Sequence, residues 1–256
     1  MPPPPRALRA RSFDPAAARY DAARPGYPQA LLDAVEELTG RPIRGSRVVD
    51  VGAGTGISTR LLHARGARVT AVEPGPGMAA QFRRGLPSVP LVRGIGDALP
   101  LAAGSADLIT YAQSWHWTDP ARSIPEALRV LAPGGALALW WNIADRDVPW
   151  IREQAARLAA RFTDSAHGAP PAARRFPDEL PSHTRTVRWS RTVPLAVHLE
   201  NLGSHSLFLT VGQETAADFL DRERAELLAA FPGGTVREEY ETELAVTIRP
   251  GTSFSR

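Results

Sequence analysis

Apolar, strand-like segments alternate with amphipathic, helix-like segments through the first half of the chain. The predicted strands cover residues 47–51, 69–73, 89–93, 107–112 and 136–141, and the predicted helices between them cover 57–64, 78–84 and 123–131. Strands that alternate with helices at this rhythm form a parallel sheet with right-handed crossovers. The pattern therefore predicts an α/β fold with a Rossmann-like, doubly wound sheet.

The segments on either side of this core are less regular. Residues 12–39 read as a helix that the Pro- and Gly-containing segment 24–28 divides into a short arm and a longer helix. Beyond residue 150 the pattern predicts helices over 150–162 and 214–231, strands over 185–195 and 240–249, and a Pro-rich connection over 168–180. We expect four regions: a disordered Pro-rich tail over 1–11, a core with an N-terminal helical arm over 12–144, a helical substrate cap over 145–212, and the C-terminal part of the core sheet over 213–256, which brings an antiparallel strand to the sheet edge.

A glycine-rich segment directly after the first predicted strand is the most informative part of the sequence. It reads Asp50-Val51-Gly52-Ala53-Gly54-Thr55-Gly56. Because glycine has no Cβ, the main chain of such a turn can come very close to a ligand. The helix predicted from Ile57 would point its free N–H groups at the same place. A strand, a glycine turn and a helix in this order predict a nucleotide-type site at the carboxyl end of the strand.

The spacing of the glycines distinguishes two kinds of nucleotide site. Dinucleotide sites of dehydrogenases use G-x-G-x-x-G, whereas here the third glycine comes one residue early, at Gly56. The G-x-G-x-G form, led by Asp50 two residues before the first glycine, resembles motif I of the class I S-adenosylmethionine (SAM) methyltransferases. Later segments resemble that family's other motifs in the family's order: Val72-Glu73-Pro74 through Met78, Gly96-Asp97-Ala98-Leu99-Pro100, and residues 128–135. Over residues 20–141 the chain is similar to the type 11 family, in the small-molecule branch that includes trans-aconitate methyltransferases.

The resemblance implies SAM as the cofactor. In the family the glycine loop holds the amino-acid end of SAM, the acid after the second strand holds the ribose, and the acid after the third strand lies near the adenine; these positions are Gly52, Gly54, Glu73 and Asp97 here. The position of Glu73 at the end of the second predicted strand also puts its carboxylate within reach of a ribose over the turn, although a solvated acid would look the same in sequence. The predicted cofactor residues are Tyr20, Arg24, Asp50, Gly52, Ala53, Gly54, Thr55, Gly56, Glu73, Pro74, Met78, Asp97, Ala98 and Gln113.

Two charged residues near these motifs have alternative interpretations. Arg24, on the N-terminal arm, could pair with the SAM carboxylate in bidentate geometry, or it could be a surface arginine stacked on a tyrosine. Asp107 opens the fourth predicted strand, and this position favours a structural role over ligand binding.

An aromatic and titratable cluster, Trp115-His116-Trp117, follows the fourth predicted strand. Indole rings attract cations and form apolar pocket walls. His116 could remove a proton from an oxygen, nitrogen or acidic carbon of a substrate, or it could only pack and fix the loop. The predicted catalytic residue is His116, and the predicted substrate-binding residues are Tyr27, Trp115, Trp117, Trp141 and His205. Methyl transfer depends mainly on alignment and on exclusion of water, and we predict no metal site.

Composition excludes several other chemistries and narrows the partners. The chain has no cysteine, and all 30 of its basic residues are arginine. Thiolate nucleophiles, disulfides, Schiff-base lysines and phosphate-loop lysines are therefore absent. The formal net charge is only +3 with scattered arginines, and no apolar run approaches the ~20 residues of a membrane helix. We expect a cytoplasmic protein with a small-molecule substrate, without nucleic-acid or membrane partners, and we leave a homodimer open.

Four functions remain to be compared. The first is methyl transfer from SAM to O, N or C of a small molecule, for example a natural-product intermediate. The second keeps SAM but catalyses a non-methylating cyclisation or rearrangement, and product mass separates the two because methylation adds one CH₂. A nicotinamide oxidoreductase is disfavoured by the glycine spacing, and a SAM-binding module without activity is disfavoured by the aromatic cluster.

Overall fold

A seven-stranded sheet forms the centre of the protein in the computed structural model, which describes residues 21–162, 174–178, 180–209 and 211–251. The strand order is β3-β2-β1-β4-β5-β7-β6. The strands are β1 (Arg47–Val51), β2 (Arg68–Val72), β3 (Leu91–Val92), β4 (Ala106–Ala112), β5 (Leu131–Ala144), β6 (His183–Pro194) and β7 (Thr235–Ile248). The predicted α/β class with a doubly wound sheet is confirmed.

The sheet is parallel from β3 to β5 and antiparallel at its other side. β1 pairs in parallel with both β2 and β4, and β4 pairs in parallel with β5. β7 lies antiparallel to both β5 and β6, so the antiparallel pairing belongs to the β6 side of the sheet. The chain runs from β1 outward to β2 and β3, then returns to the other side of β1 as β4. This reversal opens a crevice at the carboxyl ends of β1 and β4, which is where open α/β sheets bind ligands.

Helices cover both faces of the sheet, in positions close to those predicted. They are α1 (Gln29–Thr39), α2 (Ile57–Ala64), α3 (Pro76–Gly85), α4 (Pro120–Val130), α5 (Pro149–Arg161), α6 (Leu195–Gly203) and α7 (Gln213–Ala230). The bounds of β1 and α2 agree with prediction to the residue. The start of α4 shows the local cause, because Asp119 caps the helix by accepting a hydrogen bond from the Ala121 N–H, and Pro120 occupies the first helical position.

Several element bounds differ from the prediction, each for a local reason. β3 is two residues long rather than five, since Pro90 and Gly94 flank it at the edge of the sheet. β5 and β7 each begin five residues earlier than predicted, because Leu131 at the start of β5 pairs with Ala106 of β4 and the first five residues of β7 pair with β6. Helix α6 was not predicted.

The interval 145–212, expected as a cap, is not a separate layer. Its strand β6 belongs to the sheet and pairs with β7 over its whole length. The helices of this interval do pack with α7, through a cluster of buried side chains that contains Phe162, Leu202, Leu207, Phe208 and Phe219. Burial of one such side chain contributes roughly 1.5–3 kcal/mol, so the cluster fixes α5, α6 and α7 to one another. The predicted tail over 1–11 lies outside the described residues.

Two further apolar clusters lie on opposite faces of the sheet. One joins α1, α2 and α3 to the sheet and includes Leu31, Phe82 and Trp140. The other lies on the α4 face and includes Tyr111, Trp115, Leu139 and Trp141. In the part of the chain that the structure describes, no helix has the length and apolar character needed to cross a membrane.

Candidate active site

Each glycine of the turn after β1 is needed for a different reason. All three have positive φ, at 67° for Gly52, 58° for Gly54 and 92° for Gly56. A Cβ on Gly52 would lie 2.5 Å from Ser114 Cβ, and one on Gly56 would lie 2.6 Å from Leu86 Cδ1. A Cβ on Gly54 would meet no atom of the described residues within 4 Å, so of the three glycines Gly54 borders open space. The turn therefore packs against neighbouring side chains at Gly52 and Gly56, and Gly54 leaves space for a ligand.

Asp50 supports the turn from beneath. Its side chain is fully buried, and its two oxygens accept hydrogen bonds from Thr59 Oγ1 at 2.6 Å and Thr110 Oγ1 at 2.8 Å. Burial raises the pKa of Asp50 to about 6, against the lowering effect of the threonine hydroxyls. Its carboxylate joins β1, α2 and β4, and contact between Asp50 and the cofactor stays a prediction.

Glu73 closes the side of the turn opposite β4. Its Oε2 accepts the Gly54 N–H at 2.8 Å and its Oε1 accepts the Gly75 N–H at 2.6 Å, and the residue is 6% exposed. One carboxylate therefore holds both the glycine turn and the start of α3. Because each carboxylate oxygen can accept more than one hydrogen bond, ribose binding by Glu73 is compatible with this geometry and stays a prediction. Pro74 and Met78 follow in the same loop and in α3, with Met78 buried.

The end of β4 is tied to the end of β1. Ser114 Oγ donates to the Val51 carbonyl oxygen at 2.6 Å, which fixes the two strand ends between which the crevice opens. Gln113, one residue earlier, has φ 55° and is the one non-glycine with positive φ among the described residues. Its N–H donates to the Trp140 carbonyl oxygen at 2.9 Å. Sequence reasoning missed Ser114, although its position next to Gln113 was the available signal.

The two acids near β3 and β4 have distinct structural contacts. Asp97 Oδ1 accepts the Asp119 N–H at 2.9 Å and the Ser123 hydroxyl at 2.8 Å, so Asp97 positions the first turn of α4. Its role at the adenine stays a prediction, as does that of the exposed Ala98. Asp107 forms a bidentate ion pair with Arg47, which lowers the pKa of Asp107, and its expected structural role is confirmed.

The aromatic cluster divides between the core and the crevice. Trp115 is 1% exposed and packs against Tyr111 and Phe176, with ring centroids 4.9 and 5.9 Å away. Trp141 is 3% exposed in the same core cluster. Both indoles are part of the apolar packing on the α4 face of the sheet, and substrate binding by Trp115 and Trp141 stays a prediction.

His116 and Trp117 lie in a one-turn 3₁₀ helix, Trp115–Trp117, and both are half-buried. Their ring centroids are 4.4 Å apart. The structure places them directly after β4, at the carboxyl edge of the sheet. Catalysis by His116 and substrate binding by Trp117 stay predictions.

The N-terminal arm spans the carboxyl edge from α2 to α6. At one end Asp21 forms an ion pair with Arg60 of α2, and at the other Arg24 Nη2 donates to the Ser204 carbonyl oxygen at 3.1 Å. The ring of Tyr27 lies 6.1 Å from that of Trp140, edge to face. His205 follows α6 and is exposed. The structure thus brings Arg24, Tyr27 and the α6 end together; Tyr20 lies outside the described residues, and the cofactor and substrate roles of Arg24, Tyr27 and His205 stay predictions.

A buried polar network beside the arm was not found from the sequence. Glu238 on β7 accepts hydrogen bonds from His198 Nδ1 at 2.7 Å, from the Tyr240 hydroxyl at 2.9 Å and from the Arg191 guanidinium, which also donates to the Ala23 carbonyl oxygen. Burial opposes ionisation of Glu238, but the bonds from His198 and Arg191 outweigh it and lower its pKa to about 2. Glu238 is therefore an anion held by Arg191, His198 and Tyr240.

The network continues into the helices through Gln154 of α5. Its Nε2 lies 2.9 Å from His198 Nε2 and donates to Glu223 Oε1 at 3.0 Å, and Glu223 pairs with Arg157. These partners are separated by 40 to 69 positions in the sequence. Such pairings depend on the packing of α5, α6 and α7 and carry no local sequence signal.

Comparison with known proteins gives the same class of protein throughout. Residues 49–139 match the family model described as a methyltransferase domain. An uncharacterized methyltransferase of Mycobacterium tuberculosis is 36% identical over 222 residues, which cover 86% of this chain and 87% of that protein. A demethylmenaquinone methyltransferase of Beutenbergia cavernae is 36% identical over 136 residues, which cover 50% of this chain and 55% of that one.

Among solved structures, a protein of Anaeromyxobacter dehalogenans, provisionally named as a type II methyltransferase, superposes with a TM-score of 0.73. It is 26% identical, and the match covers 89% of this chain and 99% of that one. The predicted likeness to the trans-aconitate branch in particular stays a prediction. The mycobacterial relative, which the match covers almost from end to end, shows the family: the chain belongs to the methyltransferase domain family.

Proposed function

We propose that this protein transfers the methyl group of SAM to an oxygen, nitrogen or carbon atom of a small molecule, with a natural-product intermediate as the candidate acceptor. The observation that carries the proposal is the glycine turn at the carboxyl end of β1. The turn is held rigidly by Asp50, Glu73 and Ser114, and of its three glycines it is open beside Gly54.

The residues around the turn fit SAM. Gly54 leaves room for a ligand to lie against the main chain. Thr55 Oγ1, in the same turn, is buried without a hydrogen-bond partner among the described residues, so it has a donor and acceptor left for a ligand. Glu73 would accept hydrogen bonds from the ribose hydroxyls of SAM, and Asp97 would lie near its adenine. The predicted pairing of the SAM carboxylate with Arg24 competes with the observed bond of Arg24 to Ser204.

Bound SAM supplies a methyl group already activated by the positive sulfonium. The protein therefore has to align the acceptor atom and keep water out. The arm from Asp21 to Tyr27 excludes water at the crevice edge, tied by Arg60 on one side and Ser204 on the other. His116, half-buried after β4, would take a proton from the acceptor atom where that atom is protonated.

A relative supports a small acceptor. The protein of Beutenbergia cavernae is named for methylation of demethylmenaquinone, a small molecule, and it matches half of this chain. Because the match covers only half of this chain, it supports the class of acceptor and leaves its identity to experiment.

The test compares two glycine variants with equal backbone strain. Gly54→Val should abolish binding of SAM and S-adenosylhomocysteine by filling the space beside the turn, with at least a 100-fold loss of affinity measured by calorimetry. Gly40→Val is the matched control, because Gly40 has φ 63°, a Cβ there would also meet no atom of the described residues within 4 Å, and it lies at the far, amino end of the sheet. Gly40→Val should lower the free energy of unfolding by about as much as Gly54→Val does, and its affinity for SAM should stay within about twofold of that of the wild type.

Activity is then measured with methyl-labelled SAM and a metabolite extract. We expect label in a small molecule whose mass has increased by one CH₂. Unchanged SAM affinity in Gly54→Val would contradict the assigned site, and a product without added mass would favour a non-methylating rearrangement.

A further inference from the structure

Asn201 on α6 presents an acceptor oxygen whose direction is fixed by the buried network. The residue is 6% exposed, and its Nδ2 donates to the Tyr240 hydroxyl at 3.3 Å. Its Oδ1 is buried and has no hydrogen-bond partner within the part of the chain that the structure describes. A buried carbonyl oxygen left without a partner is unfavourable by about 1–3 kcal/mol.

The orientation of the Asn201 amide follows from the charges behind it. Glu238 is ionised, so it can only accept, and the Tyr240 proton must point at Glu238 Oε2. The Tyr240 oxygen is then an acceptor, and only the Nδ2 of Asn201 can face it. Oδ1 is therefore forced to point away from Tyr240, and an amide flip cannot relieve it.

Asn201 itself lies in the part of α6 that adjoins the arm. Asn201 lies three residues before Ser204, whose carbonyl oxygen is bound by Arg24 of the arm. Three residues earlier in the arm, Asp21 pairs with Arg60 in the helix that follows the glycine turn. Tyr240 lies on β7 opposite Ala144, the last residue of β5. The end of α6 and the glycine turn thus flank the same edge of the sheet, one short arm apart.

We propose that Asn201 is a specificity residue, whose Oδ1 accepts a hydrogen bond from an O–H or N–H group of the methyl acceptor. The proposal rests on the proposed function and names its substrate class. Alcohols, phenols and amines can donate a hydrogen bond to Asn201 Oδ1. An ionised carboxylate has only acceptor atoms and cannot donate one. A polycarboxylate such as aconitate would thus be disfavoured at this position.

The test uses protein saturated with S-adenosylhomocysteine and three probes of similar size: phenol as donor, toluene without a polar group, and benzoate as acceptor only. We expect phenol to bind about three- to tenfold more tightly than toluene, the range of one hydrogen bond, and benzoate to bind no better than toluene. Asn201→Leu should remove the preference for phenol. Ligand-observed NMR titration measures all three affinities.

Two further variants keep the test decisive. Tyr240→Phe retains Asn201 but frees its amide to turn, so the phenol preference should shrink; this variant replaces Asn201→Leu if the latter does not fold. Thr247→Val is the control, since the buried Thr247 hydroxyl donates to the Pro181 carbonyl oxygen and lies opposite Leu137 of β5, away from the crevice; its phenol-to-toluene ratio should equal that of the wild type.

The outcomes separate this proposal from the proposed function. Equal affinity for phenol and toluene would overturn the role of Asn201, as would a preference for phenol that survives in Asn201→Leu. If S-adenosylhomocysteine still binds in these experiments, the proposed methyltransferase function is not affected. Failure to bind S-adenosylhomocysteine at all would overturn both.

Discussion

At the scale of single residues, the site is built from backbone conformations that most side chains avoid. The three glycines of the turn and Gln113 face each other across the ends of β1 and β4, all with positive φ. For glycine this conformation has little steric penalty, whereas for Gln113 it is unfavourable by about 1–2 kcal/mol. Strain of this kind at a ligand crevice indicates a side chain that is retained for function.

Gln113 can be tested by separating strain from the loss of its amide. Gln113→Gly relieves the strain and Gln113→Ala keeps it, so we expect the glycine variant to be about 1 kcal/mol more stable than the alanine variant in urea unfolding. Both should weaken S-adenosylhomocysteine binding to the same extent. Wild-type affinity in Gln113→Ala would remove Gln113 from the cofactor site.

Asp50 gives the fold a measurable pH dependence. The pKa of an unperturbed aspartate is 3.8 and that of Asp50 in the folded protein is about 6, so the folded state holds the proton more tightly than the unfolded chain between these values. The contribution of Asp50 to the free energy of unfolding is thus greatest below about pH 4 and decreases as the pH rises through 6, by on the order of 3 kcal/mol.

The check is urea unfolding of the ligand-free protein at about pH 4.5, 5.5 and 7, which spans the window between the two pKa values. Asp50→Asn should remove the decrease that the wild type shows over this window. Glu238 contributes to stability in a different pH range. Because its pKa is lowered, ionised Glu238 stabilises the folded state above about pH 4.5, and this stabilisation is lost as the pH falls through about 2. Equal slopes in wild type and Asp50→Asn would show that Asp50 is not the responsible group.

At the scale of elements, the helices beyond β5 are joined by buried charges as well as by apolar packing. Glu223 of α7 is 1% exposed and pairs with Arg157 of α5, and Gln154 relays the contact to His198 of α6. Removing one partner of a buried pair leaves the other charge uncompensated, which is more harmful than losing a surface pair.

Two acid-to-amide changes on the same helix measure this difference. Glu223→Gln should lower the free energy of unfolding by about 2 kcal/mol, since Arg157 stays in place without its anion. Asp218→Asn, which breaks an exposed pair with Arg222, should change it by no more than about 0.5 kcal/mol. Similar losses in both variants would mean that the α5–α7 contact is apolar in origin.

Local sequence pattern predicted the elements around the glycine turn because their causes are local. Capping residues, glycines and short apolar runs determine β1, α2 and α4, and these were predicted to within a few residues. Strand β6 alternates exposed and half-buried residues at the sheet edge, and its place next to β7 depends on pairing across more than 40 residues. Helix α6 and the Glu238 network depend in the same way on contacts that no short segment encodes.

The candidate site shows the same division. The glycine turn and the strand-end position of Glu73 were predicted because both have local sequence signals, whereas the bond from the Gly54 N–H to Glu73 was not predicted. The burial of Trp115 and Trp141 was not predicted, since an indole that lines a pocket and one that fills a core have the same spacing along a strand. The motif identified Asp50 as a cofactor residue, and its hydrogen bonds with Thr59 and Thr110 carried no sequence signal.

At the scale of the whole molecule, the arm connects α2 to the end of α6 across the carboxyl edge of the sheet. The arm is bound by Arg60, Asn142, Arg191 and Ser204, which belong to four different parts of the fold. The cofactor turn and the network that holds Asn201 are therefore mechanically connected through residues 21–27. In the proposed reaction, the same arm would restrict water on both the SAM side and the acceptor side of the crevice.

The most direct measurement is a crystal structure of the protein with S-adenosylhomocysteine. The account predicts the ligand's main body against the backbone of Gly54, with its ribose hydroxyls within hydrogen-bond distance of Glu73. A ligand bound elsewhere, or a ribose that contacts neither Gly54 nor Glu73, would contradict it.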